Sequence, residues 1–207
     1  MRTYFLIMVV AALATFFSTL ITLRISQRYK IFPQIRARDV HTTPTPRLGG
    51  IGMFVGFAVA LGVAATIGWF ESVFAAPEHI YAILAAAFLI TTIGILDDMV
   101  DLDWSLKLAG QFLAAGILAW QGVQIVSLPI AGITIGSFGT SFIVTVFLTV
   151  LVMNAVNFID GLDGLVAGVV AIGTIVFFTY SYILAQQTSP TNYFNLASLI
   201  SAIVIGV

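Results

Sequence analysis

Long apolar runs separated by short polar segments dominate this chain. A helix needs about 20 apolar residues to cross the hydrocarbon core of a bilayer, and six runs approach that length. These runs predict six complete membrane spans at residues 3–23, 48–69, 79–96, 105–121, 140–158 and 164–186, with the start of a seventh near Tyr193. The pattern therefore predicts an all-α fold, a polytopic bundle of transmembrane helices that forms a single integral membrane domain over residues 1–207.

Two segments depart from the helical pattern. Residues 122–139 are rich in Val, Ile and Gly, and they predict a short β-hairpin between the fourth and fifth spans. The chain stops at Val207 inside an apolar stretch, with no capping residue or charged flank. We expect it to be the N-terminal part of a longer protein.

Basic residues predict the orientation of the spans. Six of the eight Lys and Arg residues lie between Arg24 and Arg47, so this first loop is predicted to be cytoplasmic. Alternation of the spans then puts the polar segments 97–103 and 157–163 on the same cytoplasmic side and 122–139 outside. Clustering of the charges at one membrane face is typical of chemistry at one leaflet, whereas a channel or carrier more often has polar residues through the depth of the bundle.

Composition narrows the function further. The chain is 60% hydrophobic with a mean hydropathy of +1.09, which indicates a membrane protein. Its net charge of −1 gives a nucleic-acid partner no overall electrostatic attraction to the chain. The absence of cysteine excludes disulfides and thiolate metal sites within these residues.

The end of the third span carries two adjacent carboxylates, Asp97 and Asp98. Neighbouring helical residues point about 100° apart, so both can face one cavity only at a helix end or a bend. Such a pair can bind a divalent cation through its oxygens, or the two carboxyl groups can separate their pKa values so that one of them acts as a base. The alternative is that both carboxylates are solvated at the helix end. Lys107, one turn before Gln111, is interpreted either as an anchor that reaches the membrane surface or as a phosphate contact facing the carboxylates.

The fifth span ends in a second polar cluster. Asn154, Asn157 and Asp160 follow an i, i+3, i+6 spacing that keeps them on one helical stripe, and glycines surround the next carboxylate, Asp163. Carboxylate and carboxamide oxygens are ligands for Mg²⁺, which usually remains shared with substrate phosphates. The alternative for the two asparagines is an interhelical hydrogen bond.

The first loop combines basic residues with prolines and a double glycine. Arg47, Arg36, Arg38 and His41 could bind phosphate oxygens, since the arginine guanidinium binds them bidentately. Topology alone also requires positive charge in this loop, so the motif is less specific than the other two.

Three blocks together resemble the polyprenyl-phosphate N-acetylhexosamine-1-phosphate transferase superfamily. They are HTTPTPRLGG (41–50), GILDDMVDLDWSLKLAGQ (94–111) and NAVNFIDGLDGLVAG (154–168). TPRLGG resembles the branch that transfers GlcNAc-1-phosphate to undecaprenyl or decaprenyl phosphate, with actinobacterial character, whereas the peptidoglycan branch usually shows TPTMGG. One departure is Asp39, where the family commonly has Lys two residues before the loop histidine.

The resemblance implies transfer of a sugar-1-phosphate from a UDP-sugar to polyprenyl phosphate, with release of UMP, at the cytoplasmic face of the cell membrane. It implies a full protein of about 10–11 spans, Mg²⁺ with Mn²⁺ as a substitute, and leaves a homodimer open. The residues that it implies are Asp97, Asp98 and Asp160 for catalysis, His41, Arg47, Lys107, Asn154 and Asn157 for substrate binding, and Asp163 and Asp98 for the metal. The competing interpretations are a phospho-MurNAc-pentapeptide transferase, a cation- or proton-coupled carrier, and a structural membrane subunit.

Overall fold

The structure, a computed structural model, describes residues 1–29, 48–126, 137–160, 164–187 and 193–207. All regular elements in these ranges are helical, and none is a strand. They are α1 (Arg2–Tyr29), α2 (Gly49–Ala65), a 3₁₀ turn (Gly68–Phe70), α3 (Glu71–Phe74), α4 (Pro77–Val100), α5 (Trp104–Trp120), α6 (Phe138–Ile159), α7 (Leu165–Gln187) and α8 (Tyr193–Gly206). The prediction of an all-α polytopic membrane protein is confirmed. The predicted hairpin falls mainly on residues 127–136, which lie outside the described ranges.

Four of the described helices are long and apolar enough to cross a membrane, namely α1, α4, α6 and α7. A fifth span results if Gly49–Ala65 and Gly68–Phe74 count together, although the chain bends by 93° between them. The sequence predicted six complete spans. The difference lies in the fourth predicted span, whose helix α5 has 17 residues and reaches about 26 Å at 1.5 Å per residue, which is the short end of the range for a spanning helix.

The chain divides into two compact units. One comprises Met1–Ala76 and Leu162–Val207, and the other comprises Pro77–Gly161. In the first unit, α1 packs against α2 through glycines at the crossing. A Cβ atom placed on Gly52 or Gly56 would lie 2.8 or 2.9 Å from the backbone nitrogen of Thr19 or Thr15, so only glycine allows this approach.

An aromatic cluster fixes the bent segment of the first unit. The ring of Tyr4, near the start of α1, meets Phe70 at a centroid distance of 5.2 Å and Phe178 of α7 at 5.5 Å, both edge to face. Tyr4 and Phe70 are almost completely buried. Buried aromatic pairs of this geometry stabilise packing beyond their apolar area, so the cluster holds the 3₁₀ turn on α1.

The second unit contains α4, α5 and α6. The chain reverses between α4 and α5 within three residues, where Asp101 takes a left-handed φ of 50° and its amide donates to the carbonyl of Asp97 at 2.9 Å. Asp103 then caps α5 by accepting a hydrogen bond from the amide of Ser105. The C-terminal end of α4 and the N-terminal end of α5 consequently lie together.

Helices α5 and α6 run in opposite directions. At one end the amide of Ile125 donates to Thr145 Oγ1 at 2.8 Å, and the hydroxyl of Ser141 donates to the carbonyl of Ile125 at 2.6 Å. Towards the other end Asn154 of α6 bonds Gln111 of α5. The C-terminal end of α6 therefore joins the end of the unit that carries the α4–α5 turn.

Candidate functional site

Asp97 and Lys107 form an ion pair at this end of the second unit. Lys107 Nζ lies 2.7 Å from Asp97 Oδ1, and the side chains retain 31% and 23% of their exposure. The same carboxylate oxygen accepts a hydrogen bond from the amide of Leu102 at 3.0 Å. Lys107 thus faces a carboxylate, which is the orientation expected if it is a phosphate contact; the phosphate contact itself stays a prediction. Asp97 is held by the ion pair with Lys107 and by the hydrogen bond from the Leu102 amide.

The other three carboxylates of the turn are placed differently. Asp98 is half-buried in the last turn of α4, while Asp101 and Asp103 are exposed. Hydrogen bonds from the Ser105 hydroxyl and amide hold the pKa of Asp103 below its ordinary value. Asp103 therefore caps the start of α5.

A cavity of about 650 Å³ opens between the three helices of this unit. Its polar lining consists of Asp97, Lys107, Gln111, Thr149 and Asn157. Its apolar lining consists of Ile90, Ile93, Gly94, Ile125, Leu148, Val152, Met153 and Val156. Asp97 lines the cavity and its neighbour Asp98 does not, as expected for side chains about 100° apart on a helix.

The two asparagines of α6 have different surroundings. Asn157 lines the cavity, whereas Asn154 lies outside the lining. Asn154 Nδ2 donates to Gln111 Oε1 at 2.6 Å and to the carbonyl of Val150 at 2.8 Å. This geometry corresponds to the interhelical hydrogen bond considered as the alternative for Asn154, and its substrate-binding role stays a prediction.

Asp160 ends α6 as an exposed C-cap residue. It does not line the cavity in the described part of the chain. The predicted substrate residues His41 and Arg47, and the predicted metal ligand Asp163, lie outside the described residues.

Within the described ranges, no three His, Cys, Asp or Glu side chains are grouped closely enough to hold a metal ion. Mg²⁺ often takes only one or two protein carboxylates and completes its shell with water and substrate phosphates. Asp98 is the one predicted metal ligand that the structure describes, so the predicted pair of Asp98 and Asp163 stays a prediction.

The sequence predicted no separate function for Gln111, although its i, i+4 spacing places it one helical turn after Lys107. The structure places both side chains in the cavity wall. It also adds the apolar wall, whose residues belong to α4, α6 and the segment after α5. Apolar residues at helical spacing carry no signal that separates a cavity wall from a lipid-facing or core position.

The family model for glycosyl transferase family 4 matches residues 80–207. Decaprenyl-phosphate N-acetylglucosaminephosphotransferase of Mycobacterium leprae (strain TN) is 34% identical over 100% of this chain and 53% of its own length. Phospho-N-acetylmuramoyl-pentapeptide-transferase of Desulforudis audaxviator (strain MP104C) is 32% identical over 68% of this chain and 48% of its own length.

A third relative is undecaprenyl-phosphate alpha-N-acetylglucosaminyl 1-phosphate transferase of Yersinia pestis, 30% identical over 66% of this chain and 35% of its own length. The chain spans about half the length of the mycobacterial relatives that it matches. The family match includes all of α5 and α6 and nearly all of α4, the helices that build the cavity, and it extends over more than half of the chain. This multi-pass membrane chain thus belongs to glycosyl transferase family 4.

Proposed function

We propose that this protein transfers GlcNAc-1-phosphate from UDP-GlcNAc to a polyprenyl phosphate at the cytoplasmic face of the cell membrane. Its family membership, and relatives named for GlcNAc-1-phosphate transfer to decaprenyl and undecaprenyl phosphate, support this reaction. The mycobacterial relatives match over the whole chain, which favours decaprenyl phosphate as the acceptor.

The observation that carries the proposal is the Asp97–Lys107 ion pair in the wall of a cavity that is otherwise largely apolar. A charged pair at the polar part of an apolar cavity suits an amphipathic substrate, whose phosphate requires a cation and whose hydrocarbon requires apolar contact. Lys107 already lies beside an anion at 2.7 Å, and an incoming phosphate offers it a second anionic partner.

In the proposed reaction a lipid phosphate oxygen forms a bond to the β-phosphorus of the UDP-sugar. The bond from the β-phosphorus to the oxygen that bridges to the α-phosphate breaks, and UMP leaves with that oxygen and its electron pair. Two anions must approach each other, so the chain has to supply positive charge and orientation more than proton transfer. Lys107 supplies charge, and Asp97 orients or deprotonates the lipid phosphate. Asn157 contacts the diphosphate, and His41 and Arg47 bind phosphate.

We also propose a requirement for Mg²⁺, with Mn²⁺ as a substitute, held by Asp163 and Asp98. The oxygen chemistry of these side chains fits a hard divalent cation. When bound, the ion would neutralise charge on the diphosphate. Chelation with EDTA should stop transfer, and added Mg²⁺ should restore it. Transfer that continues in EDTA would contradict the requirement.

Transfer is tested with the full-length gene product in membranes, Mg²⁺, polyprenyl phosphate and radiolabelled UDP-GlcNAc or UDP-MurNAc-pentapeptide. Label that enters the lipid phase from UDP-GlcNAc alone, with release of UMP, is the expected result. Label from UDP-MurNAc-pentapeptide alone would favour the peptidoglycan reaction. This reaction is the second candidate because the relative from Desulforudis audaxviator is named for it. Label from neither, with folded protein, would contradict both reactions, point to another UDP-sugar as the donor and reopen the carrier interpretation.

The cytoplasmic location is tested by cysteine labelling, for which the absence of cysteine from residues 1–207 is convenient. Single cysteines at positions 40, 100 and 161 should react with a membrane-impermeant maleimide only after the inner face is opened. Labelling of intact cells at any of the three positions would contradict the proposed topology.

A further inference from the structure

Gln111 is a polar residue of the cavity wall to which the proposed reaction assigns no task. Its side chain is half-buried and lies one turn after Lys107 on α5. Residues four apart on a helix are neighbours, with Cβ atoms about 5–6 Å from each other. Gln111 and Lys107 therefore present their polar groups to the same part of the cavity.

The hydrogen bonds of Asn154 determine which end of the Gln111 amide remains available. The carbonyl of Val150 can only accept, so the Asn154 atom 2.8 Å from it is the amide nitrogen. That nitrogen also lies 2.6 Å from Gln111, and a donor there requires the Gln111 oxygen. Val150 thus fixes the orientation of Asn154, and Asn154 fixes the orientation of Gln111.

The Gln111 nitrogen, with two N–H groups, remains as the polar atom of this side chain that is available to a ligand. It has no hydrogen-bond partner within the described ranges. Lys107 carries three N–H donors, and Asp97 accepts one of them. Donors from a neutral amide and an adjacent ammonium, in a wall that also carries the Asp97 carboxylate, suit the oxygens of a phosphate ester or diphosphate.

We propose that Gln111 is a phosphate-binding residue whose amide nitrogen, oriented by Asn154, donates a hydrogen bond to a phosphoryl oxygen beside Lys107. Asn154 is then a positioning residue that acts through Gln111. The identity of the phosphate as a substrate rests on the proposed function. The phosphoryl oxygen belongs either to the polyprenyl phosphate or to the nucleotide diphosphate, and the chemistry of the contact is the same in both.

Gln111→Glu separates this role from a purely structural one. Glutamate keeps an oxygen for the Asn154 nitrogen, so the link between α5 and α6 survives, but it replaces the N–H donors with an anionic oxygen. Asn154→Asp has the complementary effect. The new carboxylate can only accept, so the Gln111 nitrogen turns towards it and leaves the phosphate. Gln121→Glu, an exposed position at the C-terminal cap of the same helix, is the matched control for added charge.

The full-length gene product is assayed with each substrate varied in turn. Gln111→Glu and Asn154→Asp should raise the KM for one phosphate-bearing substrate by at least about tenfold, the range for a hydrogen bond to a charged group. The melting temperature of Gln111→Glu should match that of Gln121→Glu. A rise for UDP-GlcNAc assigns the contact to the nucleotide diphosphate, and a rise for polyprenyl phosphate assigns it to the lipid. Gln111→Met, which lacks the donor and adds no charge, replaces Gln111→Glu if that variant does not fold.

Unchanged KM values for both substrates in both variants would overturn the inference. So would a loss of kcat that parallels a lower melting temperature, since that result indicates a structural link only. Equilibrium binding of UMP, UDP and polyprenyl phosphate is measured in parallel. If the wild-type protein transfers nothing but binds one of these ligands, and Gln111→Glu weakens that binding, the inference stands although the proposed function fails.

Discussion

The ammonium nitrogen of Lys107 lies 2.7 Å from Oδ1 of Asp97, which joins the first turn of α5 to the last turns of α4. Both side chains keep about a quarter to a third of their exposure, so the pair is neither a surface contact nor a buried one. Surface pairs contribute little to stability, and removal of one partner of a buried pair is costly. The position of the pair in the cavity wall makes it the most informative target for substitution.

Asp97→Asn removes the charge and keeps the shape. The asparagine oxygen can still accept from the Leu102 amide and from Lys107, so we expect the protein to fold and insert normally. Transfer should fall by about 100-fold or more, because the effects of single electrostatic and acid–base groups are of this size. The radiolabel assay measures it, with Asp101→Asn as the control because asparagine tolerates the left-handed φ at that position. Near-normal turnover of Asp97→Asn would remove Asp97 from the site.

A charge exchange separates the structural contribution of the ion pair from its chemical one. Lys107→Asp alone places two carboxylates together and should lower the melting temperature. Adding Asp97→Lys should recover most of the lost stability, since opposite charges again face each other, but transfer should stay at the level of the single variant. If the double variant recovered transfer, the ion pair would serve only the fold, and the separate roles proposed for Lys107 and Asp97 towards the substrate would be contradicted.

The general architecture could be predicted from the sequence because runs of apolar residues are a local feature of the chain. Apolar runs identified the helices, and alternation of the spans placed Asp97 at the same end of the bundle as Asn157. Within the second unit, the reversal after Val100 and the hydrogen bonds along α6 agree with that placement. The contact between Gln111 and Asn154 joins residues 43 positions apart, and periodicity carries no information about such a pairing.

One feature of the fold was hidden for a physical reason. The bend after α2 occurs inside a continuous apolar run, so hydropathy could not separate the helix from the short segment that follows it. The predicted fourth span, 105–121, agrees with α5 (Trp104–Trp120) to within one residue at each end. His41, Arg47 and Asp163 lie outside the described residues, so the roles predicted for them stay predictions.

Packing of α1 on α2 depends on two glycines of α2. A methyl group at Gly56 would lie 2.9 Å from the backbone nitrogen of Thr15, which cannot move away without shifting the helix. Gly56→Ala should destabilise the protein by about 1–3 kcal/mol, the usual effect of overpacking. Gly62→Ala, with no atom within 4 Å, should be neutral or stabilising by up to about 1 kcal/mol. Thermal melting in detergent measures both, and equal melting temperatures would contradict the close crossing.

The segment after α5 is held on α6 by Thr145. Its hydroxyl accepts from the Ile125 amide at 2.8 Å and donates to the Ser141 carbonyl at 2.7 Å. Thr145→Val keeps the side-chain volume and leaves a half-buried amide without its acceptor, so we expect a loss of about 1–3 kcal/mol. Thr179→Val, which removes only an exposed bond to the backbone of its own helix, is the control. Hydrogen exchange at Ile125 should accelerate in Thr145→Val alone, and unchanged protection would contradict the contact.

The start of α5 should depend on pH through Asp103. Hydrogen bonds from Ser105 lower the pKa of this carboxyl in the folded protein below its ordinary value of 3.8. A group with a lowered folded pKa stabilises the fold above its unfolded pKa, and that contribution is lost as the pH falls through the folded value. Amide protection in the first turn of α5 should therefore be retained at pH 5 and decrease below about pH 3.8. Asparagine also caps helices but does not titrate in this range, so Asp103→Asn should keep the turn at neutral pH and abolish the decrease. An equal decrease of amide protection in the wild-type protein and in Asp103→Asn would show that a group other than Asp103 titrates.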